Sequence, residues 1–368
     1  MAAANSTTST PSHHASKRVL IIRPSALGDV ARTVPVLTSL RKHFGSSARI
    51  DWLVNKPFID IIAHHPAITN VIPFDRTALK KFCRSPRATR LGLALAKQLR
   101  STNYDLVFDL QGLARSGLLT FLTRSKRRIG YRAARELAWL GYNTRHPLPH
   151  NTPHTVDQML ALLQAEGIKS DDDLSLYTSI ADDDWTLSYL HQNNAKPNRY
   201  ICIAPTARWQ CKCWPIDRYA EISKRLLEAQ SLGKHIVLLT APSEQSSAEA
   251  FINTFQSLGG SPSQILNPTT SIGQLMSLIK HCRLVVCNDS APLHIAVGFN
   301  KPITTIFGPT DPNFVGPYRR LETVVRPIET INPDFVFDYR SHKNDQSLIA
   351  KVTTDEVWQN LQQQIPSL

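Results

Sequence analysis

The chain has 368 residues, 42% of them hydrophobic, and a formal net charge of +13. That length exceeds one ordinary core and predicts two domains, and no apolar run approaches the roughly 20 residues that cross a bilayer, which argues against a membrane-spanning protein. Between Arg76 and Arg145 lie 16 Lys and Arg against three acids, Asp105, Asp109 and Glu136, so this segment carries the whole net charge and the remainder is neutral. Segregation of this kind predicts an anionic partner, whether nucleic acid, anionic lipid or a phosphorylated substrate.

Residues 1–17, MAAANSTTSTPSHHASK, are small and polar with no apolar block for a signal peptide. They read as a disordered tail, and the lack of arginine before Arg18 argues against an organelle transit peptide. A strand is predicted over Arg18–Arg23, followed by the stretch RPSALGDVAR. Asp29 in that stretch has two readings. Its carboxylate caps the next helix by accepting from free backbone N–H groups, or it borders the crevice at the carboxyl end of a strand, where open α/β sheets bind ligands, and takes part in catalysis. Gly28 is expected to supply a backbone angle that other residues resist, turning Asp29 toward the cleft.

Further strands are predicted at Arg49–Val54, Asn70–Phe74, Asp105–Leu110 and Arg128–Tyr131. Between them lie helices at Val30–Phe44, where Val30, Val34, Leu37 and Leu40 recur at helical spacing, and at Arg87–Leu99. Alternation of strand and helix predicts a doubly wound parallel sheet. Around Ser170–Asp184 the composition turns acidic, and Asn193–Asn198 reads as a loop. The expected division is a first Rossmann-like domain over 18–185, a hinge-like linker over 186–198 and a second Rossmann-like domain over 199–350. A C-terminal segment over 351–368 follows, whose helix Thr354–Gln364 packs on either half, including back on the first. In the second domain strands are predicted at Tyr200–Ala204, His235–Thr240, Gln264–Leu266, Leu284–Cys287 and Ile303–Phe307. The helices there are at about Asp217–Ala229, Ser243–Ser257, Ile272–His281 and Pro292–Val297.

The six cysteines, at 83, 202, 211, 213, 282 and 287, are sparse, and Cys202 and Cys287 fall in strand-like runs. This suits reduced thiols of a cytosolic protein rather than a disulfide framework. Cys211 and Cys213 lack a second pair at zinc spacing, and Asp182–Asp184 lies at the domain boundary and is discounted as a metal loop. Neither half carries GxGxxG after its first strand or GxxxxGK[ST] anywhere, which removes the usual dinucleotide and P-loop signatures. Two similar α/β domains facing a cleft without those signatures suggest a GT-B glycosyltransferase.

Four stretches carry the chemistry: the Ser25–Asp29 loop, Ala204–Pro215 with Thr206 and Lys212, Cys287–His294, and Phe307–Pro312 with Thr310 and Asp311. Lys212 offers a point charge for phosphate oxygens, with an ordinary exposed lysine as the alternative. The strand-to-helix turn at Ser290 presents N–H groups to an anion. Asp289 would repel phosphate and is better cast as holder of the loop, and His294 taken alone is more often structural. Trp214-Pro215 is expected to anchor its loop.

RPSALGD, the KCWP element, CNDSAPLH and FGPTDP, together with Asp109-Leu-Gln-Gly112, Arg115-Ser116 and His154-Thr-Val-Asp157, resemble glycosyltransferase family 9, the ADP-heptose:lipopolysaccharide heptosyltransferases. DWLV at Asp51–Val54 and VIPFD at Val71–Asp75 look closer to the branch that adds the first heptose. The resemblance implies an inverting, metal-independent GT-B enzyme with no cofactor. Its donor would be ADP-heptose, and its acceptor the Kdo of lipid A, held by the basic first domain. It would sit peripherally on the anionic cytoplasmic face of the inner membrane. It further implies that Asp29 is the catalytic base, that Thr206 and Lys212 meet the donor phosphates, and that Glu244 meets the ribose. Asp289, Ser290, Ala291 and His294 would form the heptose and phosphate loop, with Ser25, Gly28, Gln111, Arg115 and Arg132 on the acceptor side. The chain departs from the family in reading Ser290-Ala291 where a glycine is usual. The alternatives are a family 9 enzyme with another nucleotide sugar or a later core acceptor, such as that for the second heptose. More distant is a basic nucleic-acid-binding protein, which the absence of an aromatic-interleaved or recognition-helix pattern disfavours.

Overall fold

Short runs of β-branched residues and leucine, such as RVLII and LVVCN, form strands that are buried on both faces, as a sheet covered by helices requires. The computed structural model describes residues 16–365 except 83, 150–152, 230–231, 333–334, 336 and 339–340, so the expected tail through residue 15 and Cys83 lie outside the described residues. The first sheet comprises β1 (Arg18–Ile22), β2 (Arg49–Asn55), β3 (Asn70–Phe74), β4 (Leu106–Asp109), β5 (Arg127–Tyr131) and β6 (Thr144–His146). The second comprises β7 (Tyr200–Ala204), β8 (His235–Leu238), β9 (Ile265–Leu266), β10 (Leu284–Asn288), β11 (Ile303–Ile306) and β12 (Val324–Val325). All pairings are parallel, in the orders β3-β2-β1-β4-β5-β6 and β12-β11-β10-β7-β8-β9. Counted from its own first strand, each sheet therefore runs 3-2-1-4-5-6, the doubly wound order whose ligand crevice opens where the order reverses. Those switch points fall between β1 and β4, where Ile22 pairs with Asp109, and between β7 and β10, where Ala204 pairs with Cys287.

Several expectations are corrected. The helix expected over Val30–Phe44 is two helices, Leu27–Ala31 and Val34–Phe44. Pro35 has no N–H to give the Ala31 carbonyl, so a continuous helix would lose that bond there. Much of the expected linker is helical: Ile180–Gln192 starts on Ser179, whose hydroxyl accepts from the Asp182 N–H at 3.0 Å. Asp183 then accepts from Lys280 Nζ at 2.6 Å, Ser277 at 2.8 Å and Thr178 at 2.9 Å, which fastens this helix to Ile272–His281 in the second half. The chain crosses earlier, near residues 174–176. Thr38 and Ser39 of the first half donate to the carbonyls of Asp173 and Asp171, whereas the Leu176 N–H donates to Gly298 O at 3.1 Å in the second. The helix Thr354–Gln364 packs on β11, β12 and the helix Ile216–Glu228, so its main contacts lie in the second half, not the first. Val357 and Leu361, one turn apart on its apolar side, are fully buried there. Among the described residues no helix is long and apolar enough to cross a membrane.

Candidate active site

A cleft of about 800 Å³ opens at the carboxyl ends of both sheets and takes its walls from both halves. From the first half come Ala26 to Asp29, Arg32 and Phe58. The second contributes the loops after β7, β8 and β10, with Thr310 beyond β11.

Asp29 occupies the third position of the Leu27–Ala31 helix and accepts the Ala26 N–H at 2.9 Å, so the capping reading is realised in part. Its other oxygen pairs with Arg32 and lies 3.4 Å from Arg23. Burial by itself would raise the Asp29 carboxyl, but the Arg23 and Arg32 guanidinium groups and the Ala26 N–H outweigh it and hold the group well below the usual carboxylate range. Asp29 still lines the cleft, so it is an ionised acceptor facing the ligand space.

Gly28 does not serve as expected. It has no left-handed backbone angle; instead, a Cβ there would lie 2.6 Å from His294 Cδ2 and 3.5 Å from Ala291 Cα. Its missing side chain lets the Leu27–Ala31 helix press against the Ala291–Gly298 helix across the cleft. His294 is buried in this contact, and burial, reinforced by Arg32, pushes its imidazole down to about 3, so the ring is neutral.

On the opposite wall Lys212 sits at the end of a 3-10 turn after β7, with Nζ 2.5 Å from Asp289 Oδ2. The same oxygen accepts from the Thr310 hydroxyl at 2.7 Å. Burial would raise the Asp289 carboxyl, but Lys212 and Thr310 keep it below its ordinary value. Asp289 is thus a holder, as expected, and what it holds is Lys212 and Thr310. Asn288 ties the two loops together: its Nδ2 donates to Pro205 O at 2.8 Å and its Oδ1 accepts from Trp214 N–H at 3.0 Å. Trp214 is buried and its indole donates to Val352 O at 2.9 Å.

Thr206 donates its hydroxyl to Glu244 Oε2 at 2.8 Å, and that oxygen also accepts the Ala241 N–H at 2.8 Å. Ser290 and Ala291 start the helix Ala291–Gly298, with Ser290 at its N-cap making no side-chain bond to the helix, and both line the cleft; Pro292 at the second position has no N–H to offer. Thr206, Lys212, Glu244, Asp289, Ser290, Ala291 and His294 therefore line one cavity together with Asp29. Among the described residues no group of three His, Cys, Asp or Glu is arranged to hold a metal ion.

The family model described as "Glycosyltransferase family 9 (heptosyltransferase)" matches residues 92–343, more than half of the chain. The chain belongs to glycosyltransferase family 9. It is similar to lipopolysaccharide heptosyltransferase 1 of Escherichia coli K12, 27% identical over 315 residues that cover 84% of this chain and 93% of that protein. Lipopolysaccharide heptosyltransferase 3 of the same strain is 29% identical over 303 residues, covering 79% and 82%. An Escherichia coli heptosyltransferase solved with ADP-2-deoxy-2-fluoro heptose superposes with a TM-score of 0.70 at 24% identity, covering 94% of this chain and 99% of that one, and shares the GT-B fold.

In this family 9 glycosyltransferase the expected acceptor-side residues separate. Ser25, Gln111 and Arg115 line a second, polar cavity of about 290 Å³ beside the β1 and β4 loops. The Ser25 N–H donates to Gln111 Oε1 at 3.2 Å, and Asp109, fully buried, fixes the turn by accepting from Gln111 and Gly112 N–H groups and from Tyr142 OH at 2.7 Å. Arg132 lies after β5, exposed, and lines neither this cavity nor the cleft. The His154-Thr-Val-Asp157 motif lies outside both linings and joins the halves. His154 Nδ1 accepts the Val156 N–H, which leaves Nε2 to donate to Gly316 O at 3.2 Å, and Asp157 accepts from Tyr318 OH at 2.6 Å. Arg23 and Arg32, which pair with Asp29, are not singled out by the sequence motifs. The spacing of Arg32 three residues after Asp29, one helical turn, was the available signal.

Proposed function

We propose that this enzyme transfers heptose from ADP-L-glycero-D-manno-heptose to the Kdo of a lipid A inner core, with inversion, at the cytoplasmic face of the inner membrane. The observation that carries the reading is one cleft lined by an ionised Asp29 together with Lys212 and the N-terminal residues Ser290 and Ala291 of the Ala291–Gly298 helix. The donor is assigned to residues 199–350, with Glu244 toward the nucleoside and Thr206, Lys212 and Ser290 toward the diphosphate. The acceptor is assigned to residues 18–185.

In the transfer, an acceptor hydroxyl oxygen forms a bond to the anomeric carbon as the bond from that carbon to the phosphate oxygen breaks. ADP leaves with the electron pair, and the hydroxyl proton passes to Asp29. A carboxylate held so far below its usual range is a weak base, so it takes the proton only once bond formation has made the hydroxyl strongly acidic. Arg23 and Arg32 hold the carboxylate aimed. Charge that develops on the leaving diphosphate meets Lys212 and the helix N-terminus, which are already in place.

The test is ADP release by purified protein given ADP-heptose and Kdo-lipid A, with a chelator present and Asp29→Asn beside it. Chelator-resistant turnover that disappears in the variant supports the reading. ADP binding without turnover on this acceptor, but with turnover on a heptosylated core, would assign the later acceptor instead, in line with the similarity to heptosyltransferase 3.

A further inference from the structure

Beside the polar cavity runs a groove of about 450 Å³ with an opposite lining. Leu79, Phe82, Leu93, Leu95, Leu118 and Leu119 form its apolar walls, and Arg76, Lys80, Arg100 and Arg115 stand at its edge. The groove lies between the helices Arg76–Leu79, Pro86–Ser101 and Ala114–Leu122. The sequence of the middle helix explains why it stays open. Leu99 is buried against β1 to β4, and Leu95 packs on that core from its edge. Leu93 points elsewhere on the helix and is 61% exposed; Leu118, across the groove, is 57% exposed. Gly92 gives the groove its end wall: a Cβ there would lie 2.5 Å from the Phe82 ring, so only glycine lets that ring lie against the helix.

Two features identify the occupant. Four cations border a mainly apolar trough, which matches an aliphatic chain attached to an anionic head and does not match a neutral lipid or an uncharged helix. The trough is also continuous with the polar cavity, because Phe74, Arg76 and Arg115 line both, and that cavity reaches Pro24 and Ser25 at the start of the Asp29 loop. We infer that the groove holds one acyl chain of the anionic glycolipid acceptor while the acceptor's head occupies the polar cavity. The choice of that acceptor rests on the proposed transferase reading, but the groove's affinity for an alkyl chain does not.

The experiment is therefore run first without donor or acceptor. Octyl, decyl and dodecyl phosphate, each below its micelle concentration, are titrated into the full chain by calorimetry, with inorganic phosphate as the head-group control. Affinity is expected to rise by about 4-fold for each methylene buried. Ala96→Trp, which fills the trough, and Leu118→Gln, which makes its rim polar, should flatten that rise and leave ADP affinity and the melting temperature near those of the parent. An affinity independent of chain length overturns the inference, as does a rise that both variants retain. In turnover, Ala96→Trp should raise KM for the acylated acceptor several-fold and leave a deacylated acceptor unchanged. Equal changes for the two would also overturn it. Self-association through this face would appear as chain-length-independent dimerisation in sedimentation and would count against the lipid. If no acceptor supports turnover while the alkyl series still climbs, the transferase reading fails and the groove stands.

Discussion

Asp29 closes the first turn of its helix with one oxygen and faces two guanidinium groups with the other. Asp29→Asn retains an oxygen for the Ala26 N–H and loses the charge. It should lower kcat by about 10²- to 10⁴-fold with ADP affinity little changed, and should also lower the melting temperature, because the Arg23 and Arg32 guanidinium groups lose their counter-ion; turnover that survives in the variant would make capping its main role. Because its folded value is depressed, the stability Asp29 lends is fully present above its unfolded value and is lost as pH falls from there through the folded value. The kcat/KM profile should accordingly show no limb from this group between about pH 5 and 8. Lys212→Ala removes the proposed diphosphate contact and also strands the buried Asp289 carboxylate. Weaker ADP binding by calorimetry should be accompanied by a stability loss of roughly 3–5 kcal/mol in denaturant titration, and the additional change Asp289→Asn should restore stability but not affinity. Asp29 was legible in the sequence as the polar residue after a strand. The partner of Lys212 was not, because Asp289 stands 77 positions away and only the pairing of β7 with β10 brings the two loops together.

At the level of elements, the contact of the Leu27–Ala31 helix with the Ala291–Gly298 helix sets the shape of the cleft. Gly28→Ala would force a methyl group against the His294 ring, at a cost of about 1–3 kcal/mol, and should loosen donor binding as the helices part; an unchanged melting curve would show that the ring moves aside freely. His294 faces Arg32, Asp289, Asp29 and His154, and its folded value near 3 lies below the ordinary 6.5. Between those values the unfolded chain binds a proton that the native chain refuses, so stability should fall as pH drops from about 6.5 toward 3. His294→Gln should show a smaller fall over this window in thermal melts. Most strands were legible because their apolar runs are bounded by turns, and Tyr200–Ala204 and Asn70–Phe74 fall where their runs predict. Thr144–His146 and Val324–Val325 are two or three residues long, too short to show a period. The acidic stretch Asp182–Asp184 reads as a domain boundary by composition, yet a serine cap, a first turn rich in carboxylates and a lysine partner place it in the first turns of a helix.

Over the whole molecule, the charge that the sequence concentrates in residues 76–145 is borne by exposed side chains of the first half, among them Arg84, Arg87 and Arg90. Replacing these three with alanine should weaken binding to phosphatidylglycerol vesicles by about two orders of magnitude, at roughly 1 kcal/mol for each charge. The parent should lose a comparable part of its affinity as salt is raised, and binding that is equal on neutral vesicles would rule out an electrostatic attachment. The halves themselves are held by His154 and Asp157 on Gly316 and Tyr318, by the Asp60 carboxylate on the Gly273 N–H, and by the buried core that runs from Val19 to Phe307. The Lys212–Asp289 pair then bears on the catalytic cycle as a whole. If the donor diphosphate binds Lys212 as proposed, Asp289 already occupies the ammonium group it would claim, so loading would be an exchange of one anion for another rather than the filling of a bare positive site. The same carboxylate would then reclaim Lys212 as ADP departs, which would limit how tightly the product is retained and favour the next turnover.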